Sequence, residues 1–327
     1  MYIYISGGFM KVLSLIEPYA SLIKAGVKKI ETRSWSTNYR GELYIHASMT
    51  HMNKANSGLL DLLDDKNLGY GNILCKCKLV DCIYMDEEFI NHVKNTNPTE
   101  YMCGGYSIGR YAWILEDIEI LNNPILVKGH LGIWNYEREM IKEKLKTLVK
   151  PGRYKHCLLV ASFAEKLAKI YGLDSEKCYL AGLAHDIAKN FSYEENKFWV
   201  EKYGLSLSLL DDNYSKMVHA DVGALVVKEW FNFDDDMYAA VKYHTIGNRK
   251  MTTFEKIIFI ADKVGRVDLN SDLKEVKELA TKDLDLAILL FLEKQEIILK
   301  NIGRGLHPET VQLINNLKNG IVVYEKR

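Results

Sequence analysis

Tyr179-Leu180-Ala181-Gly182-Leu183-Ala184-His185-Asp186 decides the reading of this 327-residue chain. Six uncharged residues run straight into an imidazole and a carboxylate. The run predicts a buried helix over about 175–189. A carboxylate in such a setting is costly to bury unless a cation or a donor offsets it. The same juxtaposition recurs on both sides. His156 opens a predicted helix 156–171 with the apolar stripe Leu159, Val160, Phe163, Leu167 and Ile170. His219 lies in Met217-Val218-His219-Ala220-Asp221-Val222, and His244 ends Ala239-Ala240-Val241-Lys242-Tyr243. Asp262 follows the apolar run 257–261. Imidazole nitrogens and carboxylate oxygens are the ligands that suit Zn, Mn or Fe. Each of these residues alone is more commonly a packed or surface side chain. The ordered set carries the inference.

Outward from this set the chain has two textures. Residues 137–319 read as successive helices, and residues 10–135 as short strands with turns and a few short helices. The join is an amphipathic helix over 137–149, stopped by Lys150-Pro151-Gly152. The boundary is expected near 136, giving a first domain 10–136 and a second 137–327. Residues 1–9 are expected to be a disordered lead or a start-site artefact, with translation beginning at Met1 or Met10. The chain carries 43 basic and 43 acidic residues. That balance holds in each half, so neither is a strong electrostatic magnet. No stretch has the roughly 18 consecutive apolar residues of a membrane helix. Six cysteines without a C-x-x-C pair argue against a disulfide scaffold or a cysteine zinc site, and point to a reducing, cytoplasmic setting.

Arg153-Tyr154-Lys155-His156, the stretch from Ala181 through His185-Asp186-Ile187-Ala188-Lys189, Val218-His219-Ala220-Asp221-Val222-Gly223-Ala224, Tyr243-His244-Thr245-Ile246-Gly247, Glu255 through Asp262-Lys263, and Leu306-His307-Pro308-Glu309-Thr310 form a longer pattern. In order and spacing it resembles the bacterial HD-superfamily symmetrical bis(5′-nucleosyl)-tetraphosphatases, over about 137–319. The resemblance implies an all-α HD-domain helical bundle whose metal ligands are His156, His185, Asp186, His219, His244 and Asp262. It implies two divalent metal ions, iron first, with manganese or zinc as alternatives, and cleavage of diadenosine tetraphosphate into two ADP. Two metals would clamp phosphate oxygens and acidify a bridging water for attack on phosphorus. Charge building on the non-bridging oxygens then needs cations or donors. Lys189, one helical turn after His185, is the first choice, although its spacing equally fits a solvated helix-end lysine. Thr245 is a hydrogen-bond donor candidate, and Arg249 and Arg266 are further phosphate contacts. Two departures stand out: Lys263-Val264-Gly265-Arg266 is shorter than the family's Pro-containing connection to its Arg, and Asn248-Arg249-Lys250 differs from the usual turn. His307 before Pro308 reads as a helix cap, and Cys157 as core.

In the first domain, Pro18 is expected at a helix N1 position before a short helix 19–25. Strands are expected at 28–35, 43–47 and 111–115, and alternation puts Cys75 and Cys77 in the core. Gly26-x-Lys28-x-x-Glu31-x-Arg33, with Trp35, Tyr39-Arg40-Gly41, Ile45-His46-Ala47, Trp113 and Gly129-x-x-Gly132-x-Trp134, resembles the ASCH domain over about 10–135. That implies an α+β, PUA-like β-barrel linked to RNA or nucleotide binding. A cytidine-deacylating branch of the family has a Thr nucleophile where this chain has Glu31, so that activity is not expected. Lys28, Glu31, Arg33 and Arg40 beside Trp35 and Tyr39 would suit an unstacked base and its phosphate. The same residues would equally make a salt-bridged rim over core aromatics.

The expected protein is therefore a metal-dependent dinucleoside tetraphosphate hydrolase with an N-terminal RNA- or nucleotide-binding domain, acting without a membrane. The pairing extends its expected substrates to RNA carrying a dinucleoside-tetraphosphate cap. The resemblance adds an expected homodimer, for which no interface is legible. Two alternatives remain: an HD phosphohydrolase on another nucleotide, and an RNA-binding protein with a vestigial HD fold. The second is disfavoured because every ligand position holds His or Asp.

Overall fold

The computed structural model describes residues 9–51, 54–211 and 217–325, with side chains undescribed at 54–57 and 321–325. The expected lead over 1–9 falls, but for Phe9, outside these residues. The chain divides into two compact units, one ending at Tyr136 and the other beginning at Glu137.

The first unit contains β1 (Lys11–Leu15), α1 (Tyr19–Lys24), β2 (Ile30–Arg33), β3 (Gly41–Ala47), β4 (Asn72–Tyr84), α2 (Glu87–Thr96), α3 (Pro98–Met102), β5 (Tyr111–Leu126) and β6 (Ile133–Asn135). They form one six-stranded sheet in the order β2-β5-β4-β3-β1-β6. β1 and β3 are parallel, and the other pairs are antiparallel. Three register shifts between β4 and β5 bend the long hairpin, as bulges do. The bend curls the sheet: Arg33 of β2 donates to the Ser14 carbonyl of β1, four places away in strand order, at 3.3 Å. Among the described residues no ladder joins β2 to β6, and the Arg33 side chain bridges the curled sheet instead. Leu13, Leu43, Ile45, Cys75, Leu79 and Trp113 fill the inside with Ile23 of α1. Pro18 sits one position earlier than expected, as the N-cap of α1, and accepts from Leu22.

The second unit is helical: α4 (Tyr136–Leu148), α5 (Pro151–Ile170), α6 (Ser175–Ala184), α7 (Tyr193–Lys202), α8 (Val218–Phe231), α9 (Asp235–Tyr243), α10 (Thr253–Val264), α11 (Ser271–Leu279), α12 (Leu284–Asn301) and α13 (Pro308–Glu325). Helix starts are written locally. Asp174 and Asp234 cap α6 and α9, and capping boxes of Ser192 with Glu195 and Thr252 with Glu255 open α7 and α10. α5 begins five residues before His156, because Pro151 occupies its first turn, where a missing N–H costs nothing. His156 is therefore in the second turn, not at a helix start. α6 lies against α5 through Gly182, where an added Cβ would come within 3.1 Å of the Ala161 Cα and 3.2 Å of the Ala164 Cβ. This close approach sets the depth of the α6 C-terminus, from which His185 and Asp186 project. Among the described residues no helix is long and apolar enough to cross a membrane.

Candidate metal centre and active site

Five helices of the second unit bring the six predicted ligands together. α5 supplies His156 and α10 supplies Asp262. The C-terminal ends of α6 and α9 supply His185 with Asp186, and His244, while the first turn of α8 supplies His219. Their side chains form two groups, His156, His185, Asp186 and Asp262 in one, and Asp186, His219 and His244 in the other. Asp186 belongs to both. Its Oδ2 lies 3.3 Å from His185 Nε2, and its Oδ1 lies 3.2 Å from His219 Nε2 and 3.5 Å from His244 Nε2. Asp262 Oδ1 completes the first group, 2.9 Å from His156 Nε2 and 3.4 Å from His185 Nε2. Asp262 was expected to be buried, yet it keeps 14% of its side-chain surface exposed.

The proton positions explain what these groups can hold. The His185 ring nitrogen Nδ1 lies 2.7 Å from the Gly182 carbonyl, and that of His244 lies 2.6 Å from the Val241 carbonyl. His156 Nδ1 lies 3.1 Å from the Gly265 carbonyl. A carbonyl only accepts, so each Nδ1 carries a hydrogen and each Nε2 is turned to the carboxylates; burial works to lower His185, but Asp186 and Asp262 raise it well above the ordinary imidazole value. The Nε2 atoms face carboxylate oxygens, which only accept. His185 Nε2 and Asp186 Oδ1 are buried without a hydrogen bond. Carboxylates converging in a buried cluster need positive charge beside them, which a protonated His185 or a divalent cation would supply. The donor set, imidazole and carboxylate without thiolate, fits iron, manganese or zinc.

The ionisation of the group shows the same demand. Burial works to raise the Asp186 carboxyl, but His185, His219 and His244 hold it far below the usual carboxylate range. Burial likewise opposes the charge on Asp262, which Lys263, His156 and His185 nevertheless keep well below that range. Burial drives His244 down to about 4 despite Asp186, so its ring is neutral at pH 7.

Three cations surround the cluster. Lys189 Nζ lies 3.0 Å from His219 Nε2 and 4.0 Å from Asp186 Oδ1, and its burial lowers its pKa. Arg153 donates to Asp186 Oδ2 at 2.8 Å, and Lys263 to Asp262 Oδ2 at 2.8 Å and to the His244 carbonyl at 3.0 Å. Sequence reasoning singled out Lys189 and missed the other two. The signal was present: Arg153 precedes His156 by three residues, one turn of helix, and Lys263 is adjacent to Asp262. Thr245 follows His244 on the wall of a cavity that also contains Asp262. Arg266 is exposed and lines that cavity and a second one beside His156. Arg249 instead pairs with Glu309 at 3.2 Å and lines neither cavity. His307 accepts from the Glu309 N–H at 3.2 Å and so caps α13.

The first unit's candidates are more inward than their spacing promised. Lys28 is 1% exposed, donating to the Ile30 and Cys103 carbonyls and pairing with Glu31 at 3.5 Å. Glu31 is buried and takes Arg33 at 3.1 Å. Tyr39 donates to the Glu42 carbonyl, and Arg40 pairs with Asp81 at 3.0 Å. Trp35 remains open at 38%, its ring edge-on to Trp113 at 4.6 Å.

A helical domain that gathers His, His-Asp, His, His and Asp around one buried cluster defines the class of HD-domain proteins, and the HD domain profile matches residues 153–266. The ASCH domain profile matches residues 13–148. The symmetrical bis(5′-nucleosyl)-tetraphosphatase of Bacillus subtilis is 34% identical over 169 residues, covering 51% of this chain and 90% of the relative. The enzyme of the same name from Halalkalibacterium halodurans is 32% identical over 185 residues, covering 54% and 97%. The crystal structure of a predicted HD superfamily hydrolase involved in NAD metabolism from Clostridium acetobutylicum superposes with a TM-score of 0.52 at 32% identity, covering 57% of this chain and 99% of that one. The chain belongs, through its helical unit, to the family of HD-domain symmetrical bis(5′-nucleosyl)-tetraphosphatases.

Proposed function

We propose that the protein hydrolyses dinucleoside tetraphosphates at the centre of the phosphate chain, converting diadenosine tetraphosphate into two ADP. The observation that carries the reading is the divergence of the two Asp186 oxygens toward separate histidine groups, which supports a pair of divalent cations, iron by preference, sharing one carboxylate. Bound there, the cations would neutralise phosphate charge and acidify a water. The protein's own residues do the rest. Gly182, Val241 and Gly265 carbonyls hold the Nδ1 atoms of His185, His244 and His156 and turn each Nε2 toward the cluster. Arg153 fixes Asp186 and Lys263 fixes Asp262, so the carboxylates stay ionised and oriented. Lys189 offers its ammonium to the charge that develops on the phosphate oxygens, and Thr245 and Arg266 bind the rest of the phosphate chain.

The N-terminal unit is proposed to bind RNA or nucleotide. The ASCH match and the exposed Trp35 support this, since an exposed ring suits an unstacked base. Six free cysteines fit a reducing cytoplasm. The test is incubation of anaerobically purified protein with diadenosine tetraphosphate, a cyclic dinucleotide and single nucleotides. ADP as sole product from the first substrate is expected. Turnover of another substrate alone, or AMP with ATP, would contradict the reading.

A further inference from the structure

Two cavities open on the candidate ligands from different sides, and they are unlike. The first, about 460 Å³, lies on the Asp262 side. Its walls are largely apolar: Phe259 and Phe291, with ring centroids 6.4 Å apart, together with Val276 and Leu292, while Asn270 and Gln295 add polar edges. The lysines there are already spent, Lys263 on Asp262 at 2.8 Å and Lys294 on Asp272 at 2.8 Å. This volume falls within the roughly 300–1,000 Å³ of small-ligand sites, and aromatic walls with a few polar groups suit a flat heteroaromatic base. The second cavity, about 430 Å³, lies on the His156 side and is the more open. Arg153, Lys155 and Arg266 line it with one carboxylate, Asp268, and it has no aromatic wall. Arg266 lines both.

A symmetrical substrate thus meets an asymmetric site. Resting on the function proposed above, we infer that one nucleoside is held in the apolar cavity while the other end leaves through the more open cationic one, so that the enzyme accepts a nucleotide chain attached to one end of its substrate and rejects chains on both. The chemistry separates the two ends. The apolar walls of the first cavity reward base stacking, and its lysines, already paired with Asp262 and Asp272, offer little to a chain on the ribose. Arg153 is held by Asp186 at 2.8 Å, but Lys155 and Arg266 in the more open cavity attract further phosphates, and a chain adds one with each nucleotide. The substrate class extends from free dinucleoside tetraphosphates to oligonucleotides capped by one.

The experiment compares three substrates with the metal-loaded full chain: diadenosine tetraphosphate, the same molecule with five ribonucleotides on the 3′ oxygen of one adenosine, and the molecule with five on both. We expect kcat/KM for the singly extended substrate within about fivefold of the parent, and at least about fiftyfold lower for the doubly extended one. A single extension as damaging as two, or two that cost nothing, would overturn the inference. Absence of turnover on the parent would remove the proposed function and this inference with it. A separate readout is ADP binding to Leu273→Trp, which places an indole in the apolar cavity. At least tenfold weaker binding is expected, and unchanged affinity would overturn the end held in that cavity. Should that variant fail to fold, the substrate series on the unaltered protein still decides.

Discussion

His244 Nε2 and Asp186 Oδ1 face each other across 3.5 Å, and neither has a proton to give the other. The imidazole has given its hydrogen to the Val241 carbonyl and burial keeps it neutral, while the carboxylate is held ionised by the imidazoles around it. In a folded protein such an acceptor pair is stable only around a third, positive partner. The Nδ1 atoms of His185 and His156 are likewise held by backbone carbonyls, so those of α6 and α9 and of Gly265 are as much part of the site as its candidate ligands.

Lys189 is the one cation of the cluster that no carboxylate holds within hydrogen-bonding distance; its nearest, Asp186, is 4.0 Å away. Lys189→Ala is expected to lower kcat about 10²- to 10³-fold, the range for losing one preorganised donor to a charged transition state. Bound metal per chain should stay unchanged. A kcat within threefold of the unaltered protein would remove Lys189 from the mechanism.

Gly182 holds α6 against α5 so closely that a Cβ there would press on the Ala161 backbone at 3.1 Å and the Ala164 Cβ at 3.2 Å, and α5 would have to give by a few tenths of an ångström. Gly182→Ala should destabilise the helical unit by about 1–3 kcal/mol, the usual cost of overpacking. Thermal unfolding measures it. An unchanged midpoint would mean that the helix pair has slack, and that His185 and Asp186 are positioned by something else.

Much of this site was legible because its chemistry restricts residue type: few residues ligate a divalent cation, and each lay in an apolar segment. Lys263 and Arg153 escaped because a basic residue beside a ligand is ordinary until the fold points it at a carboxylate. In the first unit Lys28 and Glu31 were legible as a charged pair, but not as an interior one, since burial depends on α3 and the Cys103 carbonyl 75 residues away. β5 runs 16 residues, well past the expected 111–115. Asn122-Asn123-Pro124 reads as a turn, yet Pro124 is tolerated because β2 pairs only with 111–114 and leaves that flank of β5 free.

The cysteines should behave as core. Burial pushes Cys75 and Cys178 up to about 12 and Cys157 up to about 11, and it also raises Cys77 and Cys103. A thiol is reactive as thiolate, so these five gain reactivity only as pH climbs well past 9. Iodoacetamide at pH 8 on native protein should modify Cys82 alone, read by mass spectrometry. Labelling of Cys75 or Cys77 under those conditions would contradict the packed sheet interior.

The central claim is that Asp186 ties two cation sites together, and metal content tests it most directly. Protein purified anaerobically and analysed by inductively coupled plasma mass spectrometry should carry two metals per chain. His156→Ala and His219→Ala should each retain about one, and Asp186→Ala essentially none, all with native circular dichroism. A single metal in the unaltered protein, or an Asp186→Ala variant that keeps both, would contradict the account.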